Sequence, residues 1–147
     1  MKDIAALDPR MVKGVIKYQA RCLQEGIPTM VLETRRELST QMAYYARGRC
    51  PVEVVKAYFE RCKLWKITDA EAKVPNTKTL YSKHIDGLAA DIVPMKDGKP
   101  WWDAPNATWM IMCKIAEEEC GLDFCAAGKN NSWNWDWAHV EFLREIS

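Results

Sequence analysis

Histidine is scarce in this chain of 147 residues: there are two, His84 and His139, so any site built on imidazole uses one or both of them. Charge of a single sign is lacking as well. Lys and Arg number 21 against 20 for Asp and Glu, and a net charge of +1 supplies no strong field for nucleic acid or anionic lipid. Partner choice therefore falls to a local site. No apolar run approaches the roughly 18 residues of a membrane span, so no membrane insertion is expected. The first residues, Met1-Lys2-Asp3-Ile4-Ala5-Ala6-Leu7-Asp8-Pro9, lack the unbroken apolar stretch of a signal peptide, because Asp3 and Asp8 interrupt it. Synthesis and folding in a cytoplasm are the expectation. The six cysteines contain no Cys-x-x-Cys pair, and in such a compartment reduced thiols are expected. Cys22, Cys62 and Cys113 stand among apolar residues at helical spacing and read as small buried hydrophobes. Internal repeats, linkers and low-complexity tracts are also missing.

What is present fits one domain, residues 1–147, of a size that buries a continuous core. Asp8 as N-cap, Pro9 as first helical residue and Gly26 as stop bracket a helix with Met11, Val12, Val15, Ile16, Cys22 and Leu23 at helical period. Residues 27–33 suit a strand that delivers Arg35 and Arg36 to its end. A second helix is expected from a Ser39 cap to Arg47, ended by Gly48, and a third from Pro51 with Val54, Val55, Tyr58, Phe59 and Cys62 as its apolar stripe. Residues 63–79 are weakly patterned and read as a surface excursion with room for a short strand. Residues 88–93 read as a buried strand ended by Pro94, before a Lys96-Asp97-Gly98-Lys99 turn. A helix capped by Asp103 or Asn106 should run through Trp109, Met112, Cys113 and Ala116 to Cys120, with Gly121 at its end. Strands over 122–126 and 138–143 complete an α+β domain, a small, mostly antiparallel sheet flanked by helices.

Both histidines stand among carboxylates at spacings that suit a metal. The first lies in Ser82-Lys83-His84-Ile85-Asp86-Gly87-Leu88-Ala89-Ala90-Asp91, the second in Asp136-Trp137-Ala138-His139-Val140-Glu141. Imidazole and carboxylate are good zinc ligands, and a catalytic zinc keeps three protein ligands and one open position. His84, Asp91 and His139 make such a set. His84 and Asp91 are seven apart, on opposite faces of a straight strand, so the chain must bend between them, and Gly87 can supply the bend. Asp91 between Ala90 and Ile92 is costly as an inward carboxylate unless paired or bound to a cation. His139 and Glu141 face the same way on an alternating strand, and Asp136 lies three residues before His139 at the strand entrance. Spacing leaves both Asp136 and Glu141 open as the base.

Arg36 offers a cation at a strand end, aimed at developing negative charge, although a Thr-Arg-Arg-Glu run also suits a solvated face paired with Glu33 or Glu37. Of the seven tryptophans, Trp109 is expected in the core, while Trp133, Trp135 and Trp137 crowd beside His139 and can wall a groove.

The segment from Ser82 to Asp91, followed by Asp136-x-x-His139-x-Glu141, resembles the zinc D,D-carboxypeptidase and L-alanyl-D-glutamate peptidase family, which includes bacteriophage endolysins and vancomycin-resistance D-alanyl-D-alanine peptidases. The family pattern of Ser-x-His, two residues, Gly-x-Ala-x-Asp is matched at every specified position. Upstream, Arg36, Gln41 and Tyr45-Ala46-Arg47-Gly48-Arg49 resemble the endolysin branch. The resemblance covers about residues 34–49 and 81–142. It implies zinc as cofactor, His84, Asp91 and His139 as its ligands, Asp136 as catalytic base and Arg36 as the cation that polarises the carbonyl; Glu141 then becomes a carboxylate bonded to a ligand or holding the groove. Two departures bear on the groove: Ala127-Gly128 and Lys129-Asn130-Asn131-Ser132-Trp133 replace a Gly-Gly-x-Trp segment, and Ala138 stands where proline is common.

The implied activity is a zinc peptidase that cuts the peptidoglycan stem peptide between L-alanine and D-glutamate. The implied setting is a phage endolysin, monomeric, held in the host cytoplasm until a holin opens the way to the wall. A D-alanyl-D-alanine carboxypeptidase or dipeptidase is the alternative within the same chemistry. A zinc-containing binding module without activity, as in the hedgehog signalling domain, is the alternative from another class.

Overall fold

A computed structural model describes residues 2–77, 79–124 and 137–147. The end of the strand expected over 122–126, the groove residues 127–133, Cys125, Trp135 and Asp136 lie outside the described residues. Contacts divide the chain into two compact units, residues 1–35 with 86–147, and residues 36–85.

The first unit is built on an antiparallel sheet. Its strands are β1 (Thr29–Glu33), β2 (Ala89–Lys96), β3 (Lys99–Pro100), β4 (Leu122–Phe124) and β5 (His139–Phe142), in the order β1-β2-β5-β4 with β3 paired to β2. Helix α1 (Pro9–Gln24) begins as its sequence implies, with the Asp8 carboxylate accepting from the Arg10 N–H and Pro9 in the first turn. Helix α5 (Asn106–Glu119) starts differently from the expectation: Pro105 holds the N-cap position without a side-chain bond, and neither Asp103 nor Asn106 caps it. Its fixed φ and missing N–H suit a helix start without help from a carboxylate.

Helices α1 and α5 pack on each other and on the sheet, where Met11, Val15, Tyr18 and Cys22 meet Trp109, Met112, Cys113 and Ala116 over Ala90, Ile92, Leu122, Phe124 and Val140. Gly14 makes the approach possible, since a Cβ there would lie 2.7 Å from the Cys120 carbonyl oxygen. Cys22, Cys113 and Cys120 behave as buried hydrophobes, burial pushing the Cys22 thiol up to about 12 and those of Cys113 and Cys120 to about 11, whereas Cys62, expected with them, is only partly buried at the end of its helix. Trp109 is 5 % exposed, as expected of a core residue.

Strand β2 does not stop at Pro94. It runs on to Lys96 and folds back through Asp97 and Gly98, both at positive φ, into β3. Pro94 is tolerated because its carbonyl, not its missing N–H, is used, accepting from the Trp101 N–H at 2.7 Å. Residues 137 and 138 form a turn ahead of β5, and the Trp137 ring packs at 6.1 Å from Trp109 and 6.2 Å from Phe124.

The second unit holds α2 (Leu38–Ala46), α3 (Val52–Arg61) and α4 (Asp69–Ala72) around Ala43, Tyr44, Ala46, Val55, Phe59, Ile67 and Ala72. Tyr44, Phe59 and Trp65 form a ring cluster, with Phe59 edge-on to Trp65 at 5.0 Å. Ser39 lies inside α2, and Glu37 precedes the helix without a side-chain cap. The 63–79 stretch holds a helical turn where a short strand had room: Thr68 accepts from the Glu71 N–H at 3.1 Å and Glu71 accepts from the Thr68 N–H at 3.1 Å, a reciprocal capping box. Among the described residues no helix is long and apolar enough to cross a membrane.

Candidate metal centre

Strand register sets two of the three proposed ligands side by side. Asp91 in β2 and His139 in β5 are direct cross-strand partners, as are Ala89 and Glu141 two residues along. Side chains alternate along a strand, so Asp91, His139, Ala89 and Glu141 share the face opposite Ala90, Ile92 and Val140. Asp123, 7 % exposed in β4, is the partner of Glu141. The alternation Leu122-Asp123-Phe124 carries the signal of that inward carboxylate, and the sequence reading passed over it.

His84 comes from a run of turns over 83–87, where the Ile85 N–H donates to the Ser82 carbonyl at 2.9 Å and the His84 N–H to Ser82 Oγ at 3.3 Å. Gly87 supplies the expected bend with φ +72°. Its carbonyl accepts from the Asp8 N–H at 3.0 Å, and a Cβ would sit 2.9 Å from that nitrogen. His84 is 1 % exposed and His139 3 %.

Among the described residues, His84, Asp91 and His139 form the one group of its kind: each offers a ligand atom, and these atoms all lie within 4.8 Å of one another. The Nδ1 atom of His139 is 3.3 Å from Asp91 Oδ1. With bonds of about 2.1 Å, a tetrahedral zinc holds two ligand atoms about 3.4 Å apart, so this pair already has the separation a shared ion requires. The other ring nitrogen, Nε2, is 3.0 Å from Glu141 Oε1. An ionised carboxylate can only accept, so with an ion on the Nδ1 side the ring's proton belongs on Nε2, toward Glu141. Carboxylate, imidazole and metal position in line is the arrangement that orients and strengthens histidine ligands. The donor set therefore fits a zinc ion, and Glu141 stands where a ligand-orienting carboxylate belongs.

Arg36 follows β1, partly buried, while Arg35 is exposed. The Arg36 N–H donates to the His84 carbonyl at 2.9 Å, so backbone fixes the cation's residue beside a proposed ligand's residue. Its guanidinium donates from Nη1 to Gln41 Oε1 at 2.6 Å and lies 4.9 Å from the Tyr44 ring centroid. Gln41 entered the sequence reading only as part of a motif. Its fivefold spacing from Arg36 matches no helical face, because Arg36 precedes α2.

No protein-family model matches the chain, and no curated protein matches it. Solved structures do match its fold. The L-Ala D-Glu endopeptidase ChiX of Serratia marcescens aligns at TM-score 0.56 and 19 % identity, over 95 % of this chain and 82 % of that one. A mutant of the vancomycin-resistance D,D-pentapeptidase VanY, in complex with Zn(II), aligns at 0.54 and 18 % over 94 % and 73 %. The LD-carboxypeptidase LdcB aligns at 0.57 and 13 % over 93 % and 59 %. The chain thus has the fold of this peptidase class, as its motifs imply.

Proposed function

We propose that the chain is a zinc-dependent peptidase of the peptidoglycan stem peptide, cutting between L-alanine and D-glutamate as a phage endolysin. The observation that carries the reading is the His139 ring, with Nδ1 at 3.3 Å from Asp91 and Nε2 at 3.0 Å from Glu141, inside a group that includes His84. The fold shared with ChiX and VanY supports the same reaction class, and the endolysin-like Tyr45-Ala46-Arg47-Gly48-Arg49 segment supports the bond and the setting. Action on the wall would follow release from the host cytoplasm through a holin-type opening, with the enzyme as a monomer.

His84, Asp91 and His139 would hold the ion. The chemistry it supplies there is acidification of a water toward a pKa of about 7 and polarisation of the scissile carbonyl. Asp136, assigned through its motif, takes the proton from the attacking water and returns it to the leaving amine. Arg36 faces the charge that develops on the carbonyl oxygen. Glu141 keeps the proton of His139 on Nε2.

Purified protein incubated with wall fragments, with zinc assayed on the same sample, tests this directly. Mass spectrometry should find new N-terminal D-glutamyl peptides; release of D-alanine would point instead to the carboxypeptidase alternative that the VanY likeness keeps open, and zinc without any cleavage to a binding module. Asp136→Ala should retain the metal and lose the rate. Activity that survives in Asp136→Ala and vanishes in Glu141→Ala would reverse the two carboxylates.

A further inference from the structure

Gln41 is a primary amide in α2 with no exposed surface. An amide buried that deeply is stable only with its polar atoms bonded, so its partners define its role. Its Oε1 accepts from Arg36 Nη1 at 2.6 Å, and its Nε2 donates to the Thr79 carbonyl oxygen at 2.8 Å, with Thr77 Oγ1 at 3.4 Å. A guanidinium only donates and a carbonyl only accepts, so the amide has one orientation that satisfies both neighbours. The Arg36 guanidinium is also flanked by the Tyr44 ring, and its backbone is tied to His84.

We propose that Gln41 is the positioning residue for Arg36: through its amide it fastens the guanidinium to the Thr79 carbonyl, so that the cation is aimed before substrate arrives. The inference rests on the reading of Arg36 as the oxyanion-facing cation. A long side chain in free rotation offers its donors in the right place only part of the time, and preorganisation is what makes such a donor effective. Leucine at position 41 fills the space and supplies neither bond. Glutamate keeps an acceptor for Arg36 and gives up the donor to Thr79.

The test is a double-mutant cycle on a soluble stem-peptide substrate, with zinc content and circular dichroism confirming a folded, loaded protein. Gln41→Leu should lower kcat on the order of tenfold to a hundredfold with KM nearly unchanged, and Gln41→Glu should recover part of that loss. On an Arg36→Ala background, Gln41→Leu should cost less than about twofold more, because the group it aims is gone. Equal losses on both backgrounds, or Glu no better than Leu, would overturn the proposal in favour of a structural amide. Should Gln41→Leu not fold, the Gln41→Glu half of the cycle is read by the same criterion. A second readout needs no hydrolysis: the Arg36 guanidinium resonances, resolved by restricted rotation in the parent, should coalesce in the variant, while those of Arg47, bonded through Nε to the Glu71 carbonyl at 3.1 Å, stay put. Resonances unchanged in both would sink the clamp itself. An Arg36→Ala enzyme as fast as the parent would instead remove the assumed role of Arg36, a failure distinct from either.

Discussion

The two compact units hold their chemically interesting groups by different means. In residues 1–35 and 86–147, sheet register does the work: Asp91 and His139 are neighbours because β2 and β5 pair where they do, and a large core under the sheet keeps that pairing in place. Among the described residues of 36–85 there is no strand, and the contacts of Arg36 include a side-chain amide, a ring face and a backbone bond beside a much smaller core. The first arrangement is rigid through many contacts, and a slip of one residue would turn every side chain to the other face. The second includes side-chain contacts, the Gln41 amide and the Tyr44 ring, that a single substitution can remove. Two of the three proposed ligands, Asp91 and His139, are set in the former way, whereas His84 belongs to residues 36–85 and comes from turns. A cation that answers developing charge can be built by the latter.

The largest expected effect breaks the sheet-held half. Asp91→Ala or His139→Ala should abolish zinc retention and wall hydrolysis together, and metal removal by a chelator should reproduce the loss reversibly in the parent protein. Zinc bound as tightly by Asp91→Ala as by the parent would sink the three-ligand assignment. Next is the helical half. Phe59 is 1 % exposed and packs against Tyr44 and Trp65, so Phe59→Ala should cost about 3–5 kcal/mol, borne by a unit of about fifty residues with little core to spare. Hydrogen exchange should show protection lost over 52–72 while β2 and β5 keep theirs. Loss spread evenly over both units would mean that they unfold as one.

Legibility differed between the units for physical reasons. Hydrophobic period and end signals located α1 and strands β1, β2, β4 and β5, because burial on one face imposes a pattern, while the two-residue β3 is too short to carry one. The candidate metal donors came together because two histidines among carboxylates leave few combinations, and Gly87 announced its bend. Pro94 was misread as a strand end, since only the pairing partner reveals that its N–H is not needed. Residues 63–79 were misread because a single turn of helix has no period, although Thr68-x-x-Glu71 spells out the cap. The amide of Gln41 was out of reach: its bonds to Arg36 and Thr79 depend on tertiary placement that no local spacing encodes.

A smaller effect sharpens the contrast at the metal centre. Glu141→Ala removes the acceptor for His139 Nε2 and should weaken zinc about 10- to 100-fold while the fold survives, read by competition with a chromogenic chelator. An unchanged affinity would show that Asp91 and the register alone orient the ring.

The smallest effect tests how much a few hydrogen bonds matter to the helical unit. The Thr68 hydroxyl caps α4, and behind that turn lie Ile67, 3 % exposed, and Ala72, fully buried, both part of the small core. Thr68→Ala leaves the Glu71 N–H without its cap and should cost about 1 kcal/mol. Because Gly48 donates to the Ala72 carbonyl at 2.9 Å and Arg47 to that of Glu71, the loosening should travel to the end of α2. Thermal unfolding should shift by a few degrees, with exchange quickened at 46–50 and 67–73 and unaltered in β5. If the midpoint falls while exchange in β5 quickens equally, the weak bonds of the helical unit would be supporting the sheet as well, and the contrast between the two would dissolve.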